Sequence, residues 1–567
     1  MSLDYTESLN SSVIENMTDA NYADANSMHL ENFSDSDKES TISSNNSIMN
    51  LEKQLTIAED DYTILTHKER LTLALFLSMI GFCSAMSMPI YWTALPQLEK
   101  AFHTTEERIN FTVTAYLCFQ AVAPLFVSSL SDVYGRRPVI LICILGGVVT
   151  NVGLAVSRTY WLMIFLRCVL ASFLAPLISI TSACVGDFTT RRNRGGLTAL
   201  TSGFTLIGQG IAPFLGAVMA TAWEWPAIFW FSAALQGAIL TIAFLMVPET
   251  HRAFVGNLSV IPKNPIHRAP ILMLFKDRLV KFDETLVEKN LKQYAPWKPL
   301  LLISKIQVFY ILLPSSILFS IWTISQTSMT VHLSKYYHYS TLDIGLCFFA
   351  PGIATVTGTL LSGKLLDKLY KKKKELYNQK YAAILENYNK ELLVHHHNHH
   401  HHHHHENSNQ DSNKDSNEDK FEELEMQEIP PFNILYVRLY YIPYAAIIVC
   451  LAAIVFGWCL QHVIKVPVIL VMSFLITFFC MFPLNITATV LVDMFPEISG
   501  GATALNNLFR CGMSAIFVSC LDKMENSMSV GGTYTFMGGI GLLFSCLIVL
   551  LILKSDSMTR KIAANSK

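Results

Sequence analysis

Arg167 stands alone in an otherwise apolar run that starts at Trp161 and ends near Cys184. A charge at bilayer depth is expensive, so an ionisable group inside such a run marks a functional position by default. Counted from Trp161 it lies six residues in, about 9 Å deep at about 1.5 Å per residue. Snorkelling of its long stem to the headgroups is the competing explanation. A second feature is the loop Ser128-SLS-Asp132-VY-Gly135-Arg136-Arg137-Pro138, whose pattern returns as Gly363-KLL-Asp367-KL-Tyr370-Lys371-Lys372. Both read small-xxx-Asp-xx-(Gly or aromatic)-basic-basic. In the first copy Gly135 permits a tight turn. Asp132 is expected to face the positive N-terminal end of the next helix or an arginine, and Arg136 and Arg137 to meet the anionic inner leaflet. No GxxxxGK[ST] loop is present, which disfavours an ATP-driven pump, and no Ser/His/Asp motif or metal-ligand cluster sits on ordered sequence. An enzyme, a cofactor and a bound metal are therefore not expected.

The elements that carry these residues are set by composition. Residues of the AVILMFWYC set make up 51% of the 567 and charged residues 15%, against about 25% charged in an average soluble chain. The net charge is −2, without a basic stripe, so nucleic acid is not an expected partner. The lipid bilayer is. A hydrocarbon core of about 30 Å needs roughly 20 apolar residues per helix. Twelve segments qualify: 71–95, 109–130, 138–156, 161–184, 197–220, 227–247, 306–331, 344–366, 439–460, 467–492, 500–521 and 531–553. The expected fold class is an all-α membrane protein of two pseudo-symmetric six-helix bundles, 71–247 and 306–553. Half-repeats of this kind are a common construction, and the repeated loop falls at the same point of each half.

Lys and Arg in the short loops orient the spans. Arg136 and Arg137 follow span 2 and Arg191, Arg192 and Arg194 follow span 4, whereas the opposite loops carry little. Both termini are thus expected in the cytoplasm, with the polar tail 1–70, the connector 248–305, the insert 367–438 and the tail 554–567. The first tail reads as disordered. The insert holds ten histidines between His395 and His405 and reads as a solvated low-complexity loop, with metal binding as the alternative. The twelve cysteines show no short CxxC spacing and read as buried free thiols.

The motifs resemble those of the major facilitator superfamily. SDVYGRRP is similar to that family's loop signature, with Ser128 where glycine is usual. Leu166-Arg167-CVL-Ala171 resembles its arginine-bearing span 4 motif, with Leu170 and Ala171 in place of Gln-Gly. Gly208-QGI-Ala212-Pro213-FL-Gly216-Ala217 resembles the span 5 antiporter motif, with alanine at two glycine positions. Further stretches resemble the twelve-span fungal drug:proton antiporters, above all the quinidine-resistance and monocarboxylate-resistance exporters. They are Ile90-Tyr-Trp92-TALPQLEK, Asn110-FTVTAYLCFQ120, Gly186-DFTTRR192, Trp223-EWPAIFWF, Val247-Pro-Glu-Thr250, the connector from Gly256 to Ile271, Val490-LVDMFP496 and Asn507-LFRC511.

The resemblance implies proton-coupled export of small organic compounds (drugs, organic cations, weak acids, amino acids) by alternating access, at the plasma membrane, by a single chain. It places Arg167 toward a central cavity. Tyr91, Trp92, Tyr116, Phe119 and Gln120 are the expected liners from the first half, with Gln209. Trp322, Gln326, Phe349 and Asn485 are those from the second. Aromatic faces there would attract organic cations. Gly208, Ala212 and Gly216 recur every four residues, a small-residue strip on one helix face, and spans 5 and 11 are expected to need close packing as the halves rock. Spans 1 to 6 hold no carboxylate away from their ends, so protons are expected to pass through Asp132, Asp187 or a second-half group such as Asp493, or to ride on the substrate. The switch is expected to comprise Asp132, Gly135, Arg136, Arg137, Arg167, Asp187 and Asp367 together with Gly208, Pro213 and Gly216. The alternatives are an uptake symporter of the same fold and a membrane sensor that transports nothing.

Overall fold

The computed structural model describes residues 63–189, 194–262, 264–270, 294–295, 297–401, 432–495 and 499–555. Throughout them apolar runs have become helices, because lipid offers no partner for backbone N–H and C=O groups and a helix satisfies them internally. Span 1 begins at His67 on a capping box, Thr66 with Glu69, four residues before the apolar run itself. It runs to Met86, and Pro89 opens a separate short helix, Pro89–Trp92. Spans 2 to 6 are Glu106–Tyr134, Arg136–Val156, Tyr160–Phe188, Arg194–Trp223 and Pro226–Met246. The second half continues with Ile306–Lys335, a helix pair Thr341–Cys347 and Phe349–His401, then Ile442–Gln461 and Val466–Met494.

Among the described residues, eleven continuous stretches are long and apolar enough to cross a membrane. The last helix, Ser499–Leu553, has 55 residues, about 80 Å at about 1.5 Å per residue and far more than one crossing uses. It breaks at Ser529, whose φ is 64°, so it folds into spans 11 and 12. Twelve crossing segments result among the described residues.

Packing sorts these spans into two groups. In the first half, spans 2 and 4, 1 and 5, and 3 and 6 pair most extensively; in the second, spans 7 and 9 pack on the 11–12 hairpin and span 10 on 8 and 9. Between the groups, span 2 packs on span 11 and span 5 on span 8. Spans 5 and 11, both expected to need close packing, thus each pack on the opposite bundle. Span 5 reaches the other bundle at Gly210, where an added Cβ would lie 2.9 Å from the Gly352 carbonyl oxygen. Gly208, by contrast, faces Phe82, and Gly216 faces Ile90 and Thr93, all in span 1 or its extension. Gly208 and Gly216 of the strip thus pack the first bundle internally, and Gly210 between them meets the second.

The insert is corrected in part as well. Span 8 does not end near Leu366 but continues as helix to His401, so the first half of the 367–438 segment is helical rather than loop. Residues 402–431 lie outside the described residues, and with them four of the ten histidines. The N-terminal tail 1–62 and residues 556–567 do too.

Candidate functional site

Two arrangements stand out among the described residues, one at the Gly135 turn and one inside the helices. At the turn, Gly135 has φ 95°, a conformation open to glycine at little cost, and a Cβ there would lie 2.5 Å from Glu249 Oε2. Glu249 explains the turn. Its carboxylate, 1% exposed, accepts the backbone N–H of Arg136 (2.8 Å) and Arg137 (3.2 Å), the first two residues of span 3. It also accepts those of Thr250 and His251, and lies 2.8 Å from His267 Nδ1. Burial opposes its charge, but the bonds from His267, His251 and Arg136 outweigh that and hold its pKa below the ordinary glutamate value. The positive end of span 3 is therefore capped by Glu249 and not by Asp132. Sequence reading passed over this residue because it lies 113 positions from Arg136; the Val247-Pro-Glu-Thr250 run was the available signal.

Asp132 takes the other expected role and pairs with Arg136 at 2.5 Å. Arg136 also reaches Asp187 at 3.2 Å and donates to Ser131 Oγ at 2.8 Å. Arg137 donates to the backbone carbonyls of Ile266 (3.0 Å), Phe244 (2.7 Å) and Val247. Both arginines are buried, at 8% and 1% exposure, which corrects their expected contact with the lipid leaflet: they clamp the first bundle's own segments together. The second copy of the motif is not built the same way. Asp367 is exposed, and the basic residues beside it stack on rings, Lys374 and Arg438 on Tyr370 and Lys373 on Tyr436. The side chain of Asp493 lies outside the described residues.

Within the helices, Arg167 is fully buried, which sets snorkelling aside. Its guanidinium lies 3.9 Å from the ring centroid of Tyr91 and 4.3 Å from that of Tyr116. Tyr91 is held by Thr112 at 2.7 Å and Tyr116 by Ser87 at 3.2 Å. All three guanidinium nitrogens lack a hydrogen-bond partner. Two ring faces replace water with cation–π attraction, each worth about 2 kcal/mol when desolvated, and leave the N–H groups unused. The two tyrosine faces expected to receive cationic substrates are thus occupied by the protein's own arginine.

The remaining expected liners fall into three sets. Trp92 bridges the bundles, 5.7 Å from Trp322 and 6.1 Å from Phe348 between ring centroids. Trp322 and Gln326 both donate to Thr477 Oγ1. Phe349 also crosses between bundles, 4.6 Å from Phe214. Gln120 accepts through its backbone carbonyl from Asn507 of span 11 at 2.7 Å, and Asn485 donates to Ser362. Phe119 is 47% exposed, and Gln209 is half-buried. Arg510, within the Asn507-LFRC511 stretch, joins these residues. Its guanidinium lies 4.7 Å from the Phe319 ring, and it donates to Asn507 at 3.1 Å.

A buried charge inside the first of two helical bundles that meet across aromatic rings, in a chain whose described residues cross the membrane many times, is the architecture of a membrane transporter. The chain belongs to the Major Facilitator Superfamily, whose family model matches residues 77–383. It is 35% identical over 497 residues to the "MFS antiporter QDR2" of Candida albicans, covering 87% of this chain and 90% of that one. It is 36% identical over 512 residues to the "Multidrug transporter AQR1" of Candida glabrata, covering 89% and 79%. Its fold is similar to that of the xylose transporter XylE from E. coli in a partially occluded inward-open conformation. The TM-score is 0.56 at 15% identity, over 86% of this chain and 98% of that one.

Proposed function

We propose that this protein exports small organic compounds across the plasma membrane by proton-driven alternating access, as one chain, with the Gly135 turn and both termini in the cytoplasm. The relatives named as a multidrug transporter and an antiporter support export. The positive-inside arginines support the orientation. Arg136, with Asp132 and Asp187, serves as the inner hinge. Trp92, Trp322 and Gln326 form part of the substrate path.

The observation that carries the reading is Arg167, a fully buried guanidinium with three unpartnered nitrogens between two tyrosines of the same bundle. Unpartnered buried N–H groups are costly, and a substrate oxygen would relieve that cost. Arg510 adds a second positive charge on span 11. Among the expected classes, this favours weak acids and amino acids, whose carboxylates take paired N–H donors, over organic cations. The experiment is transport by purified protein in liposomes with an acidic interior, using a labelled weak acid, amino acid and amine. Uptake abolished by a protonophore is the expected result. No movement beyond empty vesicles for any of the three would remove the proposal.

A further inference from the structure

The carboxylates expected to couple protons belong to the inner side, but the described structure gathers another set at the opposite mouth, between span 2 and the ends of spans 7 and 11. Lys335 of span 7 pairs with Glu106 of span 2, and Lys523 lies 3.4 Å from Glu107. Each of these two lysines of the second bundle thus answers one glutamate of the first. Two carboxylates remain on the second bundle. Asp522 accepts from Asn110 Nδ2 of span 2 at 3.0 Å, and Glu525 accepts from Ser328 of span 7 at 2.7 Å. Besides these, His332 of span 7, which lies 2.9 Å from the Ser328 carbonyl, and Tyr534 face the same cluster.

Asn110 points to what is missing. It is 2% exposed, and its Oδ1 is buried without a donor. A primary amide can give a carboxylate only its N–H. To a carboxylic acid it gives its N–H and also accepts the acid O–H, closing a two-bond ring. The orphaned acceptor beside Asp522 is therefore complementary to an O–H on that carboxyl, which protonation would supply.

We propose that Asp522 is a proton-binding site of this transporter and that Asn110 is its positioning partner across the bundles. A water-borne proton adds to Asp522 Oδ2, the new O–H donates to Asn110 Oδ1, and one uncompensated negative charge is lost from the mouth. Both effects pull spans 2 and 11 together, so protonation favours the closed mouth. This deepens the export reading: a proton taken up at the outer mouth shuts it and is carried inward.

The test reads the mouth directly and does not depend on which solute is carried. A reporter cysteine replaces Ser334, which lines the cleft beside Asn110 and Lys335, in a background whose native exposed cysteines are serine. Labelling by a membrane-impermeant maleimide is normalised to an exposed reporter at the same pH. Between about pH 8 and about pH 5, a range above the usual aspartate pKa of about 3.9, normalised labelling should fall roughly 10-fold. Asp522→Asn, whose amide imitates the protonated acid, should label slowly at both pH values, and Asp522→Glu should restore the fall. Asp522→Asn protein that keeps the wild-type pH response, or labelling that rises in acid, would overturn the proposal. Failed solute flux with an intact labelling response would instead count against the export reading alone.

Discussion

Gly210 of span 5 and Gly352 of span 8 meet backbone to backbone, each leaving no room for a Cβ on the other. This contact joins the two bundles at a point where even one methyl must displace main chain. Gly352→Ala would place its Cβ 2.6 Å from the Gly210 carbonyl oxygen, an overpacking cost of about 1–3 kcal/mol against the closed arrangement. The expected outcome is a roughly 10-fold loss of flux in proteoliposomes with normal expression. Gly237→Ala, which meets nothing within 4 Å, should be silent. Equal flux in both variants would refute the contact's role.

Arg167 separates function from stability. Its charge is buried and unpaired by hydrogen bonds, so replacing it by an apolar side chain of similar length removes a desolvation cost that the two tyrosine rings only partly offset. Arg167→Met is expected to keep or raise the thermal midpoint of the detergent-solubilised protein while flux falls by at least about 100-fold, the equivalent of about 2.7 kcal/mol. A drop in midpoint beyond about 5 °C would instead make Arg167 a structural post.

Glu249 stabilises through its charge. Its carboxyl is held below the ordinary glutamate value in the folded chain, so the folded state binds this proton more weakly than the unfolded one. The stabilisation is then fully present above the unfolded value near 4.5 and lost as pH falls through the folded one. Glu249→Gln should lower stability at pH 7 by about 1.5–3 kcal/mol, the usual worth of bonds to a charged group, and should flatten the acid limb of the stability profile. Thermal unfolding between about pH 7 and about pH 3 checks both; an unchanged acid limb would exclude this origin.

Asp132 and Asp187 share Arg136. If they act as hinge clamps and the proton binds elsewhere, Asp132→Asn and Asp187→Asn should each reduce maximal flux by about 3- to 30-fold, or about 0.7–2 kcal/mol, without moving the midpoint of its pH dependence. A midpoint shift of about one unit or more in either variant would hand the proton to that residue.

Much of this molecule was legible in the chain itself. Twelve apolar runs, the Asp132-to-Arg137 turn and the lone Arg167 are local features, and a bilayer allows an apolar run of that length little but a helix. What surrounds each residue was not legible, because contact partners lie far apart in sequence and depend on how helices rotate about their axes. Asp132 was read against the nearest helix end, but Glu249 arrives there from beyond span 6. Small residues four apart mark a close-packed face without saying which neighbour fills it, and here span 1 does, leaving Gly210 to span 8. Asp522 and Asn110 look like ordinary polar residues at helix ends. Only the packing of span 2 on span 11 brings amide to carboxyl and leaves one acceptor empty.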